Sequence, residues 1–306
     1  MQVRAWNGGS VLEYGLSTSL RGTDCYLDRL EELVRDGLSC VELCLRPEDD
    51  DKSCREAAER VQAAGLRVWS IHLPFGETVD PAEINERRRA ENMDRIRSLI
   101  DGTAELGAAI YVIHGSAEPV DDTERVRALE AAGRSLEELT SYMGPLGLTL
   151  ALENLPRSCI GRTSEEIEFL LERVPSLRLC FDTNHFTPLR PDVRFRSFQR
   201  KFSSLRRLLN PDPVEDGAEY ARRFADRIVT LHISDYDGIN ECHWHPGQGI
   251  VDFYGIHQAL MEAGFTSPLI FEPNEKCRGV KTTGDRLIRG YECAIGLEKS
   301  RNQYIS

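Results

Sequence analysis

Leu148-Thr149-Leu150-Ala151-Leu152-Glu153-Asn154 is the stretch from which the fold can be read outward. Leucines alternate with small residues and a carboxylate closes the run, which is the two-residue period of a β-strand with one apolar face. With Glu153 on the inner side of a barrel, Thr149 and Ala151 face inward as well, and Leu148, Leu150 and Leu152 cover the side where helices pack. By the same alternation, His232 turned inward sends Val229 and Leu231 outward. Seven further β-rich runs accompany this one, at residues 14–18, 40–45, 67–72, 109–114, 177–182, 228–232 and 268–272. Amphipathic stretches separate them. Leu27, Leu30, Leu33 and Val34 share one face of the first, and Gly37, Gly65, Gly107, Gly147 and Gly264 stand where helices would stop before strands two, three, four, five and eight. The alternation predicts the α/β class and a single (β/α)8 TIM barrel over residues 1–306, with a doubly wound open sheet as the lesser alternative. The span of about 186–226 is too long for a simple crossover and predicts an extended helical insertion after strand six. Its basic run of Arg190, Arg194, Arg196, Arg200, Lys201, Arg206 and Arg207 reads as a solvated helix face or oligomer contact, or else as an anion-facing lid.

Composition narrows the function. The 306 residues carry 50 acidic against 38 basic side chains, a net charge of −12, which repels a phosphate backbone and argues against nucleic acid as a partner. The nine cysteines, an odd count with no C-x-x-C pair, suit a reduced interior. No stretch approaches the roughly 20 apolar residues of a membrane span, and the first residues carry no signal-type apolar run, so the expectation is cytoplasmic.

The strand ends carry the chemistry. Strand three ends Trp69-Ser70-Ile71-His72, strand four Tyr111-Val112-Ile113-His114, strand five Leu152-Glu153-Asn154, and strand six Phe181-Asp182-Thr183-Asn184-His185. Strand seven ends Leu231-His232-Ile233-Ser234-Asp235 and strand eight Phe271-Glu272. One such residue is ordinary surface polarity, but six strands ending this way converge on one face of a barrel, where barrel active sites lie. Carboxylates and imidazoles gathered there need protons or a cation between them, so a divalent metal is expected. The Glu, Asp and His mixture suits Mn²⁺, Zn²⁺, Co²⁺ or Mg²⁺ and not a thiolate-selective site. Cys180 and Cys242 are read as a core thiol and a loop thiol.

At these residues the chain resembles the xylose-isomerase-like barrel superfamily over roughly residues 12–300, especially its sugar-phosphate isomerase/epimerase branch. The marks are Ser70-Ile71-His72-Leu73-Pro74-Phe75, Val112-Ile113-His114-Gly115, Leu152-Glu153-Asn154, Phe181-Asp182-Thr183-Asn184-His185, Leu231-His232-Ile233-Ser234-Asp235, His243-Trp244-His245-Pro246-Gly247-Gln248-Gly249 and Phe271-Glu272. The resemblance implies a metal held by Glu153, Asp182, His232 and Glu272, with Mn²⁺ or Zn²⁺ foremost. It implies Glu153 and Glu272 as the acid/base pair, moving a carbon-bound proton through a metal-stabilised enediolate of a sugar, inosose or sugar phosphate. His185 resembles the family's contact to a substrate hydroxyl; Glu42 and Arg157 are read as substrate contacts or structural ion pairs. A homo-oligomer is common among such relatives.

The same superfamily contains endonuclease-IV-like enzymes, which cut DNA with three zinc ions held partly by histidines on strands three and four and an acidic-x-His pair after strand seven. His72, His114 and Glu241-Cys242-His243 resemble that set, with Glu241 in place of the usual Asp. Ketose epimerases tend to carry Arg where His243 stands and lack the two early histidines. The net charge and the acidic or neutral loops after strands three and seven weigh toward isomerase/epimerase chemistry or a related sugar dehydratase, with multi-zinc phosphoester hydrolysis the alternative and a non-catalytic sugar-binding protein third. Gly247-Gln248-Gly249 is not a dinucleotide fingerprint, because it neither follows a strand directly nor opens a helix with a full G-x-G-x-x-G. It is expected to turn the loop so that His243 or His245 nears the metal. His257 is read as a surface or packing residue, and the charged run 85–92 as the solvated face of a long helix.

Overall fold

The computed structural model describes residues 12–20, 25–156, 159–186, 216–238 and 240–297. Eight parallel strands close into a barrel in chain order: β1 (Tyr14–Ser19), β2 (Cys40–Cys44), β3 (Arg67–His72), β4 (Ile110–Ile113), β5 (Thr149–Glu153), β6 (Arg178–Asp182), β7 (Ile228–Ile233) and β8 (Leu269–Phe271), with β8 pairing back onto β1. Each falls within two residues of the run expected from sequence. The helices α1 (Leu30–Arg35), α2 (Asp51–Ala63), α3 (Glu86–Thr103), α4 (Arg125–Met143), α5 (Ser164–Arg173), α6 (Gly217–Phe224), α7 (Phe253–Glu262) and α8 (Gly284–Ala294) surround it. Gly107 and Gly147 end the turns before β4 and β5 at φ 94° and 72°, a left-handed conformation that costs an L-side chain about 1 kcal/mol or more.

Alternation sorts the side chains as expected on β5: Leu150 and Leu152 join the apolar shell under the helices, whereas Ala151 packs inside the barrel with Ile110, Val112 and Cys180. Two residues break the period. Val229, expected to face outward, packs against the interior cluster, because the β6–β7 pairing passes from Leu179–Ile228 to Cys180–Thr230 and leaves Val229 as the extra residue of a bulge. A matching bulge at Trp69 turns its indole inward, where Nε1 donates to Thr230 Oγ1 at 3.2 Å across the barrel. Together they fill the floor beneath the strand ends.

Two smaller expectations are corrected. Val34 is 38% exposed, because Leu27–Arg29 forms a 3₁₀ turn and the buried stripe runs at three-residue steps through Leu27, Leu30 and Leu33. The run 85–92 is not wholly solvated: Arg89 and Asn92 are buried, Arg89 held by Glu86, Ser135 and Glu138. After β8 a short hairpin, β9 (Lys276–Cys277) and β10 (Val280–Lys281), turns through Arg278 and Gly279 at φ 50° and 85°, the positive pair that a two-residue hairpin turn needs. Of the expected insertion at about 186–226, residues 187–215, with the whole basic run, lie outside the described residues; its described end holds α6, which leads into β7. No described helix is long and apolar enough to cross a membrane.

Candidate metal centre at the barrel mouth

The strand ends bring nine ligand-type side chains into three adjoining groups. His72, His114 and Glu153 form the first; Glu153, Asp182, His232 and Glu272 the second; His185, Glu241 and His243 the third. Within each group the candidate ligand atoms lie within 4.8 Å of one another. Glu153 joins the first two. Its Oε2 lies 3.0 Å from His72 Nε2 and 3.3 Å from His114 Nε2, while its Oε1 lies 3.3 Å from His232 Nδ1 and 3.2 Å from His185 Nδ1.

Hydrogen bonds fix which ring nitrogen is available for a cation. His72 Nδ1 lies 2.8 Å from the Leu73 carbonyl, His185 Nδ1 2.9 Å from that of Asn154, and His243 Nδ1 2.8 Å from that of Glu272. A carbonyl only accepts, so these Nδ1 atoms carry the hydrogens and each Nε2 is left facing carboxylates. His232 is reversed: Nε2–H donates to Glu42 Oε1 at 2.8 Å, leaving Nδ1 at 3.3 Å from Glu153 and 3.4 Å from Glu272. A bare nitrogen lone pair against a carboxylate oxygen is repulsive unless a proton or a metal ion stands between them. Asp182 Oδ2 adds to this. It is buried, accepts no hydrogen bond among the described residues, and has its nearest imidazole nitrogens 3.8 Å away. The mixed oxygen and nitrogen donors, the braced rings and this orphaned oxygen fit a divalent ion.

The same crowding sets the protonation states without an ion. Burial raises Glu153, but His232 and the other facing imidazoles hold it well below the usual carboxylate range. Burial lowers His232, yet the Cys180 thiol and the Glu272, Glu42 and Glu153 carboxylates hold it well above 6.5. His243 is pushed up to about 9 against its burial by Glu241, Glu272 and Asp182. Glu272 is pushed up to about 7 by burial, against the pull of His232 and His243. His114 goes the other way, because burial outweighs Glu153.

Supporting residues complete the site. Asn154 clamps the ends of β5 and β6: Asp182 N donates to Asn154 Oδ1 at 2.8 Å and Asn154 Nδ2 donates to the Asp182 carbonyl at 3.0 Å. Asp235 is fully buried and accepts from the backbone N–H groups of Tyr236, Gly247, Gly249 and Val251, so the Gly247-Gln248-Gly249 turn wraps a carboxylate of its own chain. Sequence reasoning missed both, although each adjoins or closely follows a candidate ligand. Glu42 lies beneath the centre at 0% exposure, bonded to Ser17, Ser70 and His232 and away from the open mouth. Arg157 lies outside the described residues. His245 stands in none of the three groups; it is buried against Thr282, whose hydroxyl is 2.8 Å from Nε2. His257 is also buried, beside Tyr291. Cys180 is a core thiol inside the barrel and Cys242 a half-buried loop thiol.

Beside Glu272 and His243 opens a cavity of about 430 Å³, floored by Ser17, Ser19 and Cys44 and walled by Phe75. Phe75 is 55% exposed and stacks on the His114 ring at 4.5 Å. A closed parallel barrel with polar groups and a cavity at the carboxyl ends of its strands defines a TIM-barrel protein with an enzyme-type site. The match to the xylose isomerase-like TIM barrel family covers residues 30–290, and the chain belongs to that family. It is 24% identical over 207 residues to an uncharacterised protein of Methanocaldococcus jannaschii, covering 66% of this chain and 63% of that one. It is likewise 24% identical over 183 residues to fructoselysine 3-epimerase of Shigella flexneri, covering 59% and 58%. The chain thus spans less than two thirds of either relative. A solved D-tagatose 3-epimerase-like protein superposes with a TM-score of 0.68 at 20% identity over 93% of this chain and 98% of that one, a likeness of fold.

Proposed function

We propose that the protein is a divalent-metal-dependent sugar or sugar-phosphate isomerase/epimerase, with Glu153, Asp182, His232 and Glu272 holding the ion and Mn²⁺ or Zn²⁺ the foremost candidates. The observation that carries this reading is the pair of carboxylates, Glu153 and Glu272, both close to His232 Nδ1 at 3.3 and 3.4 Å. The named relative being a sugar epimerase supports it. A bound ion supplies Lewis-acid stabilisation of the charge that develops on neighbouring substrate oxygens when the intervening C–H proton leaves. The side chains do the rest. Glu272, the more open carboxylate at 24% side-chain exposure, faces the cavity and takes or returns the proton there; Glu153 is its counterpart on the buried side. His185, His243 and Glu241 orient substrate hydroxyls from the loops after β6 and β7. Phe75, stacked on the His114 ring, covers part of the cavity.

Screening ketoses, inososes and sugar phosphates in D₂O by NMR tests the proposal: at least one should exchange a carbon-bound hydrogen, and Glu153→Gln and Glu272→Gln should each slow exchange by about 10²–10⁴-fold. No exchange across the panel with the ion bound, or full activity in both variants, would defeat it. A second reading, multi-metal phosphoester hydrolysis, is favoured by one observation, the three ligand groups sharing Glu153. A metal count separates the two. One ion per chain fits proton transfer, whereas two or three, with cleavage of abasic DNA or small phosphate esters, fits hydrolysis.

A further inference from the structure

We infer that Arg46 forms an anion subsite and that the substrate of the proposed reaction is an anionic sugar derivative, with a phosphate or carboxylate remote from the carbon at the metal centre. This rests on the isomerase/epimerase reading and names its substrate class. Strand β2 alternates strictly: Val41, Leu43 and Leu45 join the apolar shell, and Glu42 reaches His232 inside the barrel. Arg46, two residues beyond the end of β2, lines with Cys44 the same cavity as Glu272. The cavity is therefore lined both by Glu272 of the candidate centre and by Arg46.

Its backbone is fixed and its head group is left over. Leu45 N donates to the His72 carbonyl, continuing the β2–β3 ladder, while Arg46 N donates to the buried Asp49 carboxylate at 2.9 Å and Asp49 N returns a bond to the Arg46 carbonyl. Arg46 is half-buried, and its guanidinium has no hydrogen-bond or ion-pair partner among the described residues. Elsewhere in this acidic chain arginines such as Arg67, Arg89 and Arg125 find carboxylates. A planar fork of donors on a fixed backbone, unpaired and lining a cavity, can meet a phosphate or carboxylate with two parallel hydrogen bonds. Ser19 and Asn274 line the same wall and suit the intervening hydroxyls.

Calorimetric titration of the metal-loaded protein with D-fructose, D-fructose 6-phosphate and D-glucuronate tests this. At least one anionic probe should bind tenfold or more tightly than D-fructose, the phosphate and carboxylate arms telling which source the site accepts, and Arg46→Gln should erase that preference without weakening D-fructose. Equal affinity for all three, no binding of either anion, or a preference that survives in Arg46→Gln would overturn it. Because binding is read without turnover, an anion preference in a protein that exchanges no carbon-bound hydrogen would sink the isomerase reading and leave the subsite standing.

Discussion

At the scale of single residues, Glu42 shows how much of the site lies below its ligands. Its carboxylate takes the Nε2–H of His232 and hydroxyl hydrogens from Ser17 and Ser70, which locks the ring with Nδ1 toward the candidate metal centre. Glu42→Gln keeps the shape and removes the charge that makes the imidazole a better donor, so metal affinity should fall about 10–100-fold in a chelator-competition titration. Unchanged affinity would show that the brace is passive. The ligand types were legible because each ends an apolar strand with a charged side chain. The brace was not, since alternation tells that Glu42 points inward but not how deep it lies. His257 carries a pH prediction of another kind. Burial holds its folded-state pKa below the ordinary 6.5, so the unfolded chain binds the extra proton, and the stability His257 contributes is present above pH 6.5 and lost as pH falls below it. Urea midpoints at pH 7.5 and 5.5 should differ less in His257→Gln than in the parent; an equal difference assigns the acid sensitivity elsewhere.

At the scale of elements, the loop after β7 is built around an anion of its own. Asp235 gathers four backbone N–H groups, and a Cβ on Gly249 would collide with the Tyr236 carbonyl and the Asp235 carboxylate. Gly249→Ala should therefore cost about 1–3 kcal/mol and displace Trp244 and His243, which the Asp235–Trp244 bridge holds. Thermal unfolding together with metal content checks this, and a variant with parent stability would refute the account. The strands were readable almost to the residue, because burial on one face imposes a period of two. The bulges at Trp69 and Val229 were not, since an inserted residue shifts pairing without changing the local pattern of apolar and polar types.

At the scale of the whole molecule, the mouth concentrates Glu153, Asp182, Glu241 and Glu272 with five histidines, and only protons or cations make that packing tolerable. Stripping the metal should lower stability. An ion at a hundred times its dissociation constant contributes about 2.7 kcal/mol per site, so chelation should reduce the thermal midpoint by roughly 4 °C per site, restored by adding the ion back. A midpoint indifferent to chelator would mean that protons alone hold the site together. In the proposed metal-loaded state a bound cation would offset part of the formal charge of −12, so the surface sign says less about the ligand than the mouth does. Finally, the indole of Trp69 bonded to Thr230, with Val229 and the interior apolar cluster beside it, plugs the opposite end of the barrel. On the proposed reading, reactant and product would share one doorway, so accumulating product should slow turnover even where the chemistry is fast.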